Sequence, residues 1–244
     1  MATMAMAPAP ITMTDPISGD GLYRLMSWLS PSFPVGAFSY SHGLETAIER
    51  GLVTDRDSLQ GWIAAILEFG AGASDALLFR AAHDAVDAAA TASVIELAAA
   101  WRGTAELAHE SAAQGDAFLS TAGAAWKLPA IRQCREIADA GGHAVAYAVA
   151  VGVATRGLPL EIALGAFLHA TAANLVSAGV RLIPLGQTDG QIAIARLAPA
   201  VAHAVTAACA GSIDDLPRRL GSAAVQVELT SMQHETQYTR LFRS

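Results

Sequence analysis

Lysine is almost missing from this sequence: of its 15 cationic side chains only Lys127 is a lysine. Leu128 follows it, so the Lys-Ser/Thr pair that ends a phosphate-cradling P-loop is nowhere in the chain, and nucleotide hydrolysis by that route is excluded. Cations are also too few for a nucleic-acid footprint, because 22 acidic against 15 basic side chains leave a formal charge of −7 with the seven histidines neutral. Cysteine occurs only as Cys134 and Cys209, without a Cys-x-x-Cys, which fits two reduced thiols in a cytoplasmic protein. There is no His-Glu-x-x-His, so the common zinc-hydrolase geometry is missing. No cation precedes Asp15, and Pro8 and Pro10 break any apolar run, so neither a secretory signal nor an Arg-rich transit peptide is expected.

What is abundant is apolar: 53% of 244 residues, with a mean hydropathy of +0.37, enough to bury the core of one large domain. Residues 162–180 carry no formal charge and approach the roughly 20 residues of a membrane span. His169, Thr171, Asn174 and Ser177 interrupt them and Glu161 stands at their start, which favours a buried helix and no membrane. Residues 1–19 mix Ala, Pro, Met and Thr without periodicity and read as a mobile leader. From 20 to 230 the apolar positions recur three and four apart and no long run alternates as a strand would.

The expectation is an all-α single compact bundle of about ten helices, joined by short links and crowded with alanine. Thr54 and Asp57 have capping spacing ahead of the stripe Leu59, Trp62, Ile63, Ile66 and Leu67, and Gly70 and Gly72 end that helix. Further helices are expected at about 73–90, 92–108, 111–126, 129–139, 143–155, 159–183 and 191–210. Breaks are expected at Lys127–Pro129, Gly141–Gly142, Gly157–Pro159 and Pro184–Gly186.

Candidate chemistry is thin. Glu106 and His109 have the Glu-x-x-His spacing of di-iron bundles, but the second copy such a site needs is missing, so a solvated helical face is expected. His83 and Asp87 read as an exposed i,i+4 pair, with too few ligands for a metal. Ser39, Ser41 and His42 are too close in sequence to face one another as a catalytic group, and Ser39 reads as the cap of a helix running through Glu45 to Glu49. No cofactor is expected. The other class that the composition permits is a metal-dependent α-helical enzyme of ferritin-like type.

Three separated blocks depart from the alanine-rich pattern: Pro34–Glu45, Arg181–Gln191 and the tail Met232–Ser244. Together, over roughly residues 20–244, they resemble the urease accessory protein UreF family. The resemblance implies a homodimeric, non-catalytic nickel-insertion chaperone that bridges the UreD/UreH scaffold and the UreG GTPase on apo-urease. It implies that two copies present a composite surface to UreG while opposite surfaces, including residues 231–244, dock on UreD. The residues matching the family's first block are Pro34, Gly36, Phe38, Ser39, Tyr40, Gly43 and Glu45, a helix entry partly structural and partly partner-facing. In the second block Arg181, Pro184, Gly186, Gln187 and Gln191 match; Arg181 reads equally as a donor to a partner or as a helix C-cap cation. In the tail, Tyr238, Leu241 and Phe242 are apolar anchors and Arg240 a forked donor, either for docking or for folding back on the domain. No function is carried over to the alanine-rich stretch 85–125.

Overall fold

The computed structural model describes residues 17–101 and 103–244. The expected leader lies outside them as far as residue 16, and α1 (Gly19–Trp28) begins soon after, capped by Ser18, whose Oγ accepts the Gly21 N–H at 3.1 Å. The described residues are helical with no strand: α2 (Leu44–Glu49), α3 (Arg56–Phe69), α4 (Ala71–Asp84), α5 (Ala88–Ala100), α6 (Ala105–Trp126), α7 (Pro129–Gly141), α8 (Tyr147–Ala154), α9 (Leu160–Leu182), α10 (Gln187–Cys209), α11 (Leu216–Arg219) and α12 (Val225–His234). A 3-10 turn, Ala37–Ser39, precedes α2, and another, Ile213–Asp215, precedes α11.

The α3 stripe is buried as its spacing requires, from Leu59 to Leu67. Its cap is Asp55, not Thr54: Asp55 accepts the Ser58 N–H at 2.8 Å, and the Ser58 hydroxyl reaches back in a capping box. Those bonds from the Ser58 backbone and hydroxyl hold the Asp55 carboxyl below its ordinary pKa.

Two expected helices, 73–90 and 92–108, break earlier than the periodicity suggests. Asp87 accepts the Ala90 N–H at 2.8 Å and starts α5, and Thr104 accepts the Leu107 N–H at 3.2 Å and starts α6. In an alanine-rich stretch with little apolar contrast these two caps carry the boundary information. His83 consequently pairs with Asp84 at 3.1 Å and with the Leu158 carbonyl at 3.0 Å, so the exposed pair with Asp87 does not form.

At the centre lies α8, whose residues Ala148–Ala154 are all buried, packed on α4 and α6. Gly152 makes that approach: a Cβ there would lie 2.5 Å from the Phe79 carbonyl oxygen of α4. Around this core α10 packs on α3 and α9, and α12 on α2 and α6. Arg156–Leu158 turns the chain from α8 into α9, and Lys127 in the left-handed region (φ 52°) ends α6 before Pro129 opens α7.

Three segments, Arg56–Asp84, α9 and α10, are long and apolar enough by composition to cross a membrane. The first is broken at Gly70 between α3 and α4. In α10 only 28% of the apolar stretch is buried, against 50% in α9, so α10 turns a surface of small apolar residues outward.

Candidate functional site

The first block leaves the core as a loop with unusual backbone. Gly36, His42 and Gly43 all have positive φ, at 74°, 53° and 73°. At Gly43 the reason is steric as well as torsional, because a Cβ would lie 2.5 Å from the Ser231 backbone nitrogen, where α12 crosses the start of α2. Gly43 is therefore the N-cap of α2. Ser39 does not fill that role: its hydroxyl donates to the Gly36 carbonyl at 2.7 Å inside the 3-10 turn. Within the block Tyr40 and Glu45 are buried, whereas Phe38 is 67% exposed and Pro34 also faces out.

Glu45 is a carboxylate taken out of water, 8% exposed, and such a charge must be satisfied by donors. Its Oε1 accepts the Leu241 N–H at 2.7 Å, and its Oε2 accepts the Phe242 N–H at 2.9 Å and faces His234 Nε2 at 3.2 Å. The other ring nitrogen, Nδ1, meets Glu106 at 2.9 Å, and Glu106 also accepts from Arg240 at 3.0 Å. Further out the Arg243 N–H donates to the Ser39 carbonyl and the Ser41 N–H to the Ser244 carbonyl, both at 2.8 Å, while the Ser41 hydroxyl also reaches Ser244. The tail is thus seated on its own domain, with Phe242 3% exposed and Ser244 fully buried.

Arg181 ties the second block to the same place. Its Nη2 donates to the Phe38 carbonyl at 2.8 Å, and its guanidinium lies over the Phe242 ring. The longer bond from its Nε to the Ser177 carbonyl, 3.3 Å, is the helix-end contact that the C-cap reading anticipates, so one side chain does both. Pro184, Gly186, Gln187 and Gln191 are exposed around the α9–α10 turn, where Asp189 pairs with Arg56 at 3.1 Å. Among the described residues no hydrogen bond joins these four to the Glu45 cluster.

Glu110 and Gln114, which no sequence motif singles out, lie with Glu106 in the stretch to which no function was carried over. Glu106, Glu110 and Gln114 stand four apart on the inner face of α6. Glu110, 5% exposed, accepts from Gln114 at 2.8 Å and from the Ser244 hydroxyl at 3.0 Å, and pairs with His42 at 3.0 Å. Glu106 is therefore not on a solvated face; only His109 of that expected pair is exposed. The signal was the i, i+4, i+8 spacing of acid, acid and amide in an alanine-rich helix, a row of acceptors waiting for donors from elsewhere in the chain.

Seen from outside, the joined blocks make a face on which Phe38, Arg181, Tyr238, Arg240 and Leu241 are exposed above a buried polar layer. A cavity of about 270 Å³ opens beside Phe38 and His42, walled by Phe33, Phe167, Tyr147 and Asn174. Burial pushes the Tyr147 hydroxyl far above its ordinary pKa.

Comparison with known proteins bears on what such a face is for. The UreF family model matches residues 53–198. The urease accessory protein UreF of Rhodopseudomonas palustris strain BisB18 is 51% identical over 228 residues, covering 91% of this chain and 92% of its own. That of Granulibacter bethesdensis is 49% identical over 235 residues, 93% of this chain and 96% of its own, and that of Bradyrhizobium sp. strain BTAi1 is 47% identical over 232, 91% and 92%. On this likeness the chain belongs to the UreF family of urease accessory proteins and is not an enzyme.

Proposed function

We propose that this protein bridges the UreD/UreH scaffold and the UreG GTPase in the cytoplasm during maturation of the urease nickel centre, acting as a homodimer on apo-urease with nickel as cargo. The observation that carries the reading is the convergence of the first block, Arg181 and the tail into one exposed face. The fold alone does not require Phe38, Tyr238 and Leu241 to face water.

The first block and the tail share one surface: Arg243 is hydrogen-bonded to Ser39, so a scaffold that touches the tail also touches the loop. We assign the joined face to UreD/UreH, and to UreG a surface completed by the second copy. For a non-catalytic bridge to couple nucleotide state to nickel delivery, it must bind the two states of UreG with different affinity. A ferritin-like enzyme is disfavoured, since among the described residues no three His, Cys, Asp or Glu side chains are grouped to hold a metal ion. The apolar helices α9 and α10 are read as bundle helices, with no membrane and no nucleic acid among the partners.

The test is co-elution of the purified chain with UreD and UreG on a sizing column, beside the variant Leu241→Asp. Wild type is expected in one complex with both partners and the variant to lose UreD. A wild-type chain that elutes apart from UreD and UreG, singly and together, contradicts the bridge.

A further inference from the structure

We infer that His234 is a positioning residue whose proton holds the tail in place, so that the docking face is assembled when the ring is charged and released when it is neutral. For its consequence in partner binding this rests on the docking reading above; the latch itself does not.

His234 is fully buried, and both of its ring nitrogens face carboxylates, Nδ1 towards Glu106 at 3.0 and 2.9 Å and Nε2 towards Glu45 at 3.2 Å. A neutral imidazole has one N–H, so either tautomer would set a nitrogen lone pair against a carboxylate. The imidazolium donates to both and leaves no such clash. The two carboxylates are the tail's own anchors: Glu45 receives the amides of Leu241 and Phe242, and Glu106 receives Arg240. The charges around the ring come from each element packed on it: Glu45 on α2, Glu106 on α6 and Arg240 on the tail. One step further, Glu110 and His42 form a second pair that reaches Ser244. With the ring charged, two acids meet two cations. With it neutral, Arg240 still pairs with Glu106 but one of the two carboxylates loses its ring donor, and the tail is the part of this cluster that can leave without unfolding a helix.

The experiment is amide hydrogen exchange on the full chain without partners, read as protection factors at Leu241 and Phe242 from about pH 5.5 to about pH 9, with the ring followed by nitrogen NMR. Wild type is expected to lose protection at both amides by about tenfold or more as His234 loses its proton. Amides of α4 and α8 should keep theirs. In Glu106→Gln the step should vanish with protection retained, because a neutral ring then donates to Glu45 and accepts from the new amide. In His234→Gln, protection should be low throughout and without a step. No step in wild type overturns the inference, whatever the charge of the ring, and so does a step of equal size in Glu106→Gln. If the exchange behaves as described while the affinity for UreD is the same on both sides of the step, the latch stands and the docking role of this face falls.

Discussion

The guanidinium carbon of Arg181 lies 4.4 Å from the centroid of the Phe242 ring, while the same side chain donates to the Phe38 carbonyl at 2.8 Å. One arginine at the end of α9 thereby clamps the first block and the tail together. Phe242 belongs to the tail by sequence and to the core by burial.

The first prediction divides the tail by that burial. Phe242→Ala removes a buried ring from beneath Arg181 and should cost about 3 kcal/mol locally, seen as lost exchange protection through residues 241–244 and a lower melting temperature. Tyr238→Ala and Leu241→Ala remove exposed side chains and should leave the melting temperature within about 1 °C of wild type. Equal thermal effects in all three would mean that the tail is not anchored through Phe242.

Arg181→Lys should keep the charge and lose the clamp. A planar fork can stack on a ring and donate to a carbonyl at once, whereas an ammonium cannot do both. Exchange at the Arg243 amide, which is held by Ser39, is expected to quicken by about fivefold, corresponding to roughly 1 kcal/mol. Unchanged exchange there would show that the stacking contributes nothing.

Much of the scaffold was legible in the sequence because it rests on short-range rules: the α3 stripe, the Gly70 break, Lys127–Pro129 and the Pro184–Gly186 turn are all where periodicity and punctuation put them. The caps at Asp87 and Thr104 were harder to read, since a polar residue in an alanine run marks a boundary only once its N–H partner is known. The three blocks were visible as blocks. Their meeting was not, because Ser41 with Ser244 and Glu45 with Phe242 are contacts across some 200 residues, for which no local period exists. Glu106, Glu110 and His234 were passed over for the same reason: a buried acid looks like a surface acid until the donors that pair with it are placed.

The close approach of α8 to α4 gives a core prediction. Gly152→Ala would put a methyl 2.5 Å from the Phe79 carbonyl, and a backbone contact of that kind cannot relax by a side-chain turn. A loss of about 1–3 kcal/mol in denaturant unfolding is expected. Gly165→Ala, whose new Cβ would sit 3.9 Å from Val205, should be neutral or stabilising by up to about 1 kcal/mol. A neutral Gly152→Ala would contradict this packing.

The two thiols should behave differently from an ordinary cysteine. Burial pushes Cys134 up to about 11, against smaller opposing effects of Arg156 and Arg135, and burial also raises Cys209. A raised pKa leaves the thiol protonated, so at about pH 8 the Cys134 thiolate is roughly one part in a thousand. A disulfide-exchange reagent is expected to modify half-buried Cys209 slowly and Cys134 only on unfolding, the latter even at about pH 9. Rapid modification of both in the folded protein would count against the packing of α7.

The central claim is that the exposed part of the joined face binds a partner while its buried part holds the face together. It is tested most directly by the dissociation constant for UreD measured beside the melting temperature, in Phe38→Ala, Tyr238→Ala and Leu241→Ala. Affinity is expected to fall by about tenfold or more in at least two of the three, a loss of roughly 1.4 kcal/mol each, with the melting temperature unmoved. Affinity unchanged in all three variants would contradict the claim.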